Sequence, residues 1–234
     1  MKKYGAVTDV GKKRAGNQDA YYIGNGWCIV ADGMGGHKGG EVASRCVIEI
    51  VKRALLQQSF ETDILLKNAL SEANAEIYKM SLETPELEGM GTTAVLCRFE
   101  GKQAVIAHVG DSRAYRLAPD GLHQVTVDHS IVQQLIASGT ITPGEAKTHP
   151  QKNYITRAIG TDQTVEVDIT RVRVNTGDIV LLCTDGLNSC VSDEEIEQTL
   201  RGGRGDLYKT AFELVDLANE RGGADNITVI LVEA

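Results

Sequence analysis

The chain has 234 residues, 42% apolar and 24% charged, which is typical of a folded globular protein and excludes wholesale disorder. Lysine and arginine total 24 against 32 aspartates and glutamates, so the net charge is −8. This acidic balance disfavours nucleic acid and anionic membranes as partners. Because no apolar run reaches the ~18 residues of a membrane helix, and no signal-peptide core follows the basic start, we expect a cytoplasmic protein. The five scattered cysteines predict neither a disulfide framework nor a zinc site.

Short apolar runs of strand length recur from the first quarter of the chain to its end. Two pairs of runs flank short turns and predict β-hairpins. The predicted strands lie at 20–23, 27–31, 92–97, 103–107, 113–117, 123–127, 165–174, 179–183 and 227–232.

Helical spacing of apolar residues predicts long helices at 43–55 and 66–80 and a third from Asp206 to the Gly222-Gly223 pair. A shorter helix is expected after Ser192, where Ser192 and Glu195 have the spacing of a capping box. Each long helix has a single apolar stripe, so each covers one side of another layer. The pattern therefore favours two packed sheets with helices outside.

The segment from 128 to 153 is polar and mixed, with a short helical stretch at 131–137 and breaks at glycines and prolines. It interrupts a series of strands, so we interpret it as a surface insertion near a functional face. No linker composition divides the chain, and we expect one domain over 1–234.

Aspartates stand beside several of the predicted strand ends. Any one of them is most simply a turn residue. Asp32, however, begins an unusually glycine-dense loop, and Asp185 follows a run that must be interior. Because a buried carboxylate needs a partner, and hard divalent cations prefer oxygen ligands, carboxylates that converge here predict a Mg²⁺ or Mn²⁺ site. The candidate carboxylates are Asp19, Asp32, Asp111, Asp185 and Asp225.

Three further residues near these carboxylates are candidates for the same site. Gly33 could offer its backbone carbonyl to a metal, and His37 in the glycine loop is a candidate proton donor. Arg14 could be a solvated surface residue, but beside a metal cluster its planar fork suits a phosphoryl group. The other histidines lack such neighbours and are interpreted as structural: His108, His123, His129 and His149.

Taken in order, these blocks resemble the bacterial branch of the metal-dependent Ser/Thr protein phosphatases of type 2C. The resemblance spans nearly the whole chain, from about Thr8 to Val232, and many ordered blocks are far more specific than one. The matching blocks are Arg14 to Asp19, Ala31 to His37, Gly91 to Ala94, Val109 to Arg113, Asp128 to Ser130, Thr156 to Gly160, Thr184 to Gly186 and Asp225 to Thr228.

The resemblance implies an α+β fold, a four-layer α-β-β-α sandwich of two mainly antiparallel sheets flanked by helices. It also implies a site for two Mn²⁺ or Mg²⁺ ions. Asp32 would bridge both ions, and Asp185 and Asp225 would complete the first position. The carbonyl of Gly33 would serve the second ion, which Asp19 would hold directly or through water.

By the same resemblance, Asp111 would help Asp185 to hold a third, weaker ion. Arg14 would bind the substrate phosphate, and His37 would be the general acid. Residues from about 131 to 153 would form a flap beside the active site.

The implied activity is hydrolysis of phosphoserine and phosphothreonine in proteins by metal-activated water. A cognate Ser/Thr kinase is the expected partner, and a monomer is the default oligomeric state. Three alternatives stay open: a small-molecule phosphatase with the same centre, a pseudo-enzyme, and a structural Ca²⁺-binding domain. The last gives Arg14 and His37 no task, and the pseudo-enzyme predicts lost ligands, whereas all the candidate aspartates are present.

Overall fold

The computed structural model describes residues 2–36, 39–56, 61–203 and 205–234. The strands are β1 (Lys3–Asp9), β2 (Asp19–Gly24), β3 (Trp27–Met34), β4 (Gly91–Thr92), β5 (Ala94–Glu100), β6 (Gln103–Val109), β7 (Arg113–Ala118), β8 (Gly121–Gln124), β9 (Asp168–Arg173), β10 (Ile179–Cys183) and β11 (Ile227–Glu233). The α-helices are α1 (Gly39–Leu55), α2 (Thr62–Glu83), α3 (Ile131–Ala137), α4 (Pro143–Ala146), α5 (Asp185–Asn188), α6 (Asp193–Gly202) and α7 (Leu207–Glu220).

The strands form two antiparallel sheets. The first has the order β1-β11-β10-β7-β8, and the second has the order β2-β3-β5-β6-β9 with β4 paired to β3. Both predicted hairpins are present, as β5–β6 and β7–β8. The four-layer sandwich expected from the resemblance is confirmed.

Alternate residues of the central strands face two different cores. In β3, Cys28 and Val30 pack between the two sheets, whereas Ile29 and Ala31 pack with α1 and α2. In β10, Val180 and Leu182 face the second sheet, while Leu181 and Cys183 pack with α6 and α7. Because both faces of these strands are buried, their sequences are continuously apolar.

Two of the outer helices begin with the caps that the sequence encodes. At α6 the Ser192 amide donates to Glu195 Oε2 at 3.0 Å and the Glu195 amide donates to Ser192 Oγ at 3.4 Å, so the predicted capping box is confirmed. At α7 the side chain of Asp206 accepts from the Lys209 amide at 3.1 Å.

Strand β3 is longer than the sequence predicts, and this changes the place of two candidate residues. The strand continues through Asp32 and Gly33 to Met34, so the prediction that Asp32 follows the strand end is wrong. The extension forms because Gly33 and Met34 pair with the two-residue strand β4, a partner distant in sequence. In this register Asp32 lies directly opposite Asp19 of β2.

In the part of the chain that the structure describes, no helix is long and apolar enough to cross a membrane.

Candidate active site

Four of the candidate carboxylates line one cavity of about 510 Å³ at the end of the sandwich where the strand ends meet. Asp32 comes from β3, Asp111 follows β6, Asp185 begins α5 just after β10, and Asp225 precedes β11. The fifth, Asp19, is the cross-strand partner of Asp32. Like charges placed directly opposite each other on antiparallel strands are destabilising, so this arrangement calls for a compensating cation.

Asp19 is held by the hydroxyl groups of Thr228, in β11 of the other sheet, and of Thr184, which directly follows β10. Its Oδ2 accepts hydrogen bonds from Thr228 at 2.6 Å and from Thr184 at 2.9 Å. Its Oδ1 is enclosed and has no hydrogen-bond partner among the described residues. A carboxylate that is fixed through one oxygen and leaves the other unpartnered is what a metal ligand requires.

Burial and mutual repulsion raise the pKa of these acids. Burial, followed by the charges of Asp185 and Asp225, raises the pKa of Asp19 to about 7. Burial, then repulsion from Asp225, raises the pKa of Asp185 to about 6, and burial also raises the pKa of Asp111 to about 7. The pKa of Asp32 lies well above its ordinary value for the same two reasons. The cluster therefore binds protons near neutral pH, or cations in their place.

The donor set fits a hard divalent cation. It is rich in carboxylate oxygens, which Mg²⁺ and Mn²⁺ prefer, and the cavity wall contains no cysteine or histidine among the described residues. Like Asp19 Oδ1, the Oδ1 of Asp185 is buried without a partner in the described part of the chain.

Gly33 lines the cavity at a position where a side chain has no space. A Cβ at Gly33 would lie 2.0 Å from the carbonyl oxygen of Gly40, at the start of α1, and 2.6 Å from that of Gln18. The glycine thus lets α1 pack against β3 beside Asp32. The backbone of Asp32 is fixed as well, because its amide donates to Thr93 Oγ1 at 3.1 Å and its carbonyl accepts from Thr92 Oγ1 at 2.9 Å.

Arg14 reaches the cavity from the loop after β1. Its Nη2 donates to Asp225 Oδ2 at 2.7 Å, and its side chain is 53% exposed. The bond to Asp225 and the charges of Asp225, Asp32 and Asp185 raise the pKa of Arg14. Arg14 therefore lies beside the carboxylate cluster, and its expected role in phosphate binding stays a prediction.

Asn226 anchors the loop that carries Arg14, a role that its sequence pattern did not reveal. Its Nδ2 donates to the carbonyls of Val10 and Gly16 at 2.9 and 3.0 Å, and its Oδ1 accepts from the Gln18 amide at 2.9 Å. A residue next to Asp225 thus sets the position of Arg14. The only signal in the sequence is the Asp-Asn pair before β11.

His37 lies outside the described residues, and its expected role stays a prediction. The segment from 131 to 153 contains the short helices α3 and α4, and Asn153 lines both this cavity and a neighbouring one of about 440 Å³. The helical stretch predicted at 131–137 is confirmed.

Two of the histidines interpreted as structural lie beside each other and beside a carboxylate. His108 and His129 stack with their ring centroids 4.6 Å apart, and Nε2 of His129 lies 3.4 Å from Asp168 Oδ2. The expectation that they lack a nearby carboxylate is wrong, because Asp168 of β9 is brought in by pairing with β6.

Comparison with known proteins gives concordant matches over most of the chain. The family model described as "Protein phosphatase 2C" matches residues 11–214. The serine/threonine phosphatase stp of Listeria innocua is 42% identical over 210 residues, which are 88% of this chain and 83% of that protein.

Two solved structures match just as broadly. The crystal structure of the Mycobacterium tuberculosis serine/threonine phosphatase PstP/Ppp matches with a TM-score of 0.93 and 39% identity, over 99% of this chain and 98% of that one. The catalytic domain of the serine/threonine protein phosphatase PstP, solved in complex with two manganese ions, matches with a TM-score of 0.90 and 38% identity, over 99% and 97% of the two chains.

Proposed function

Because the chain belongs to the protein phosphatase 2C family and is a metal-dependent protein serine/threonine phosphatase, we propose that the carboxylate-lined cavity is its catalytic centre. The observation that carries this proposal is the convergence of Asp32, Asp111, Asp185 and Asp225 on one cavity, with Asp19 paired to Asp32. Carboxylates with raised pKa values in a cleft are typical of a functional site.

In this proposal the carboxylates and one backbone carbonyl would hold two Mn²⁺ or Mg²⁺ ions. The similar catalytic domain of PstP was solved in complex with two manganese ions, which supports this number. Asp185 and Asp225 would hold one ion together with Asp32. The Gly33 carbonyl would hold the other, again with Asp32 and with support from Asp19. Asp111 would help Asp185 to hold a third, weaker ion. When bound, such ions supply an activated water nucleophile and neutralise charge on the phosphoryl group.

Arg14 orients the phosphate. Its guanidinium already lies at the cavity, where it bonds to Asp225, and half of its side chain faces solvent. When Asp225 is engaged by a cation, the fork of Arg14 is free to bind two phosphoryl oxygens, which is the geometry that guanidinium groups favour. Asn226 keeps the loop of Arg14 in place for this task.

His37 donates a proton to the leaving oxygen of serine or threonine, directly or through a water. An imidazole ordinarily titrates near neutral pH, which suits a proton donor, a role typically worth about 10²–10⁴-fold in rate. The segment 131–153 is a flap of the single catalytic domain 1–234. Its last residue, Asn153, lines the cavity, as does Ile155 two positions further on.

The substrates are phosphoserine and phosphothreonine side chains of proteins, and a Ser/Thr kinase that adds these phosphates is the expected partner. Relative turnover of a phosphothreonine peptide, a sugar phosphate and a nucleotide tests the substrate class. The proposal expects the peptide to be hydrolysed fastest. Faster turnover of either small molecule would favour the small-molecule phosphatase instead.

A further inference from the structure

A cluster of four side chains lies behind the part of the cavity wall that contains Asp111. Its members are His108, His129, Arg157 and Asp168. Both histidines are buried, with 2% and 8% of their surfaces exposed. Ligand atoms of the two histidines and of Asp168 lie within 4.8 Å of one another, as in a metal site. Arg157 Nη1, however, lies 3.0 Å from His129 Nε2 and 2.7 Å from Asp168 Oδ1, so a positive charge already occupies this position.

The hydrogen bonds define which ring nitrogen of His129 carries the proton. The backbone amide of Gly110 donates to His129 Nδ1 at 3.0 Å, so Nδ1 is an acceptor without a proton. The two hydrogens on Arg157 Nη1 have acceptors in Asp168 Oδ1 at 2.7 Å and the Glu166 carbonyl at 3.2 Å. His129 Nε2 therefore carries the proton and faces Asp168 Oδ2 at 3.4 Å. A ring in this state has no free nitrogen for a metal.

His129 forms hydrogen bonds with both backbone polar groups of Gly110. Besides the bond to Nδ1, the backbone amide of His129 donates to the Gly110 carbonyl at 2.9 Å, so both polar groups of one peptide residue are bound by one partner. Gly110 has a φ of +103°, and a Cβ there would lie 2.6 Å from the Thr93 methyl group. The residue is thus held in a conformation that strongly favours glycine.

Gly110 immediately precedes Asp111, which lines the catalytic cavity. The residue after Asp111 is Ser112, and its hydroxyl is 2.7 Å from Thr93 Oγ1, which also binds the Asp32 amide. His129 is itself anchored, because its carbonyl accepts from the Thr156 amide at 2.8 Å.

We propose that His129 is a positioning residue, which through its unprotonated Nδ1 fixes the Gly110 peptide and so aims the carboxylate of Asp111 at the cavity. His129 touches no substrate and binds no metal. Burial, followed by the charges of His108 and Arg157, lowers the pKa of His129 and keeps the ring neutral, as this role requires. Asp168 and Arg157 orient the ring from the other side, as partners of a ligand-orienting histidine do.

This inference rests on the proposed function only where it concerns Asp111 as a ligand of the third ion. His129→Phe keeps the ring volume and removes the acceptor, whereas His129→Asn can place Oδ1 where Nδ1 lies. Both variants keep the bidentate ion pair of Arg113 with the neighbouring Asp128, which ties the same two loops together. His123→Phe, at an exposed histidine of β8, is the matched control.

The first readout needs no metal and no activity. In metal-free protein, ¹⁵N chemical shifts of the wild-type His129 ring are expected to show an unprotonated Nδ1 and a protonated Nε2. Hydrogen exchange of the Gly110 amide is expected to be faster in His129→Phe and close to wild type in His129→Asn. A protonated Nδ1, or unchanged Gly110 exchange in the Phe variant, would overturn the proposal.

The second readout is the metal demand of the reaction with a phosphothreonine peptide. His129→Phe is expected to lower kcat and to raise the Mn²⁺ concentration for half-maximal activity by about 10–100-fold, with little change in KM for the peptide. His129→Asn should recover most of the loss, and His123→Phe should behave as wild type.

Three results would overturn the role of His129: a Phe variant with wild-type Mn²⁺ demand, an Asn variant as impaired as Phe, or Mn²⁺ or Zn²⁺ binding that shifts the ring signals of His108 and His129 together. If wild-type protein shows no metal-dependent turnover at all, the proposed function fails, while the exchange measurement on Gly110 still decides the role of His129.

Discussion

Replacing Asp19 with asparagine is expected to stabilise the metal-free protein while weakening its response to metal. Asp19 Oδ1 is buried without a partner in the described structure, and other carboxylates lie nearby. Burial raises the pKa of Asp19 from an ordinary 3.8 to about 7. The folded protein therefore holds a proton on Asp19 that the unfolded chain has released, throughout the interval between these two values.

The sign and size of the effect follow from this difference in pKa. Because the folded state binds more protons, the free energy of unfolding falls as pH rises from about 4 to about 7 and stays low above that range. One pH unit corresponds to about 1.4 kcal/mol, so ionised Asp19 costs the metal-free fold about 4 kcal/mol near pH 8. An asparagine carries no charge, and its amide oxygen can accept from Thr228 and Thr184 as Asp19 Oδ2 does.

The assay is urea unfolding of chelator-treated wild type and Asp19→Asn at about pH 5 and about pH 8, repeated with Mn²⁺. The variant should exceed wild type by about 4 kcal/mol at the higher pH and by much less at the lower one. Mn²⁺ should stabilise wild type more than the variant, because binding to the folded state alone adds stability. Equal stabilities at the higher pH, or a difference that does not change with pH, would refute the reasoning.

Three further predictions concern the reaction and its flap. Arg14→Ala should lower kcat/KM for a phosphothreonine peptide by about 10–100-fold, because a charge-assisted contact with the phosphate is lost. The midpoint of urea unfolding should change little, because an exposed ion pair contributes at most about 1 kcal/mol to stability. His37→Ala should lower kcat, while Mn²⁺ binding measured by calorimetry should be unchanged. Loss of Mn²⁺ binding would contradict the role of His37 as a proton donor. In limited proteolysis of the metal-free protein, segment 131–153 should be cleaved earlier than the strands and helices of the sandwich. Equal resistance of the segment and the sandwich would contradict a mobile flap.

The sequence predicted the central strands well because both of their faces are buried. It missed β1, which has only one fully buried residue and owes its place to pairing with β11 and to α7. A Cβ at Gly5 of β1 would lie 2.2 Å from the backbone of Leu207 in α7. Such a constraint arises between elements at opposite ends of the chain, and local periodicity carries no trace of it.

The candidate carboxylates were likewise visible in sequence, but their supports were not. Thr184 and Thr228 lie in two of the matching blocks, but nothing in their local pattern shows that their hydroxyls hold Asp19. His129 looked structural because its carboxylate partner, Asp168, comes from another strand. The residue types of a site can therefore be found from spacing, whereas the groups that orient them depend on tertiary contacts.

The most direct test of the two-metal catalytic centre is Mn²⁺-dependent hydrolysis of a phosphothreonine peptide by wild type and Asp185→Asn. Asp185 lines the cavity, its Oδ1 lacks a partner in the described residues, and Asp193→Asn on the exposed start of α6 is a matched control. The proposal expects wild type and the control to hydrolyse the peptide. A chelator should abolish this turnover and added Mn²⁺ should restore it. Asp185→Asn should show little turnover. Activity that survives thorough chelation, or that is unchanged in Asp185→Asn, would contradict it.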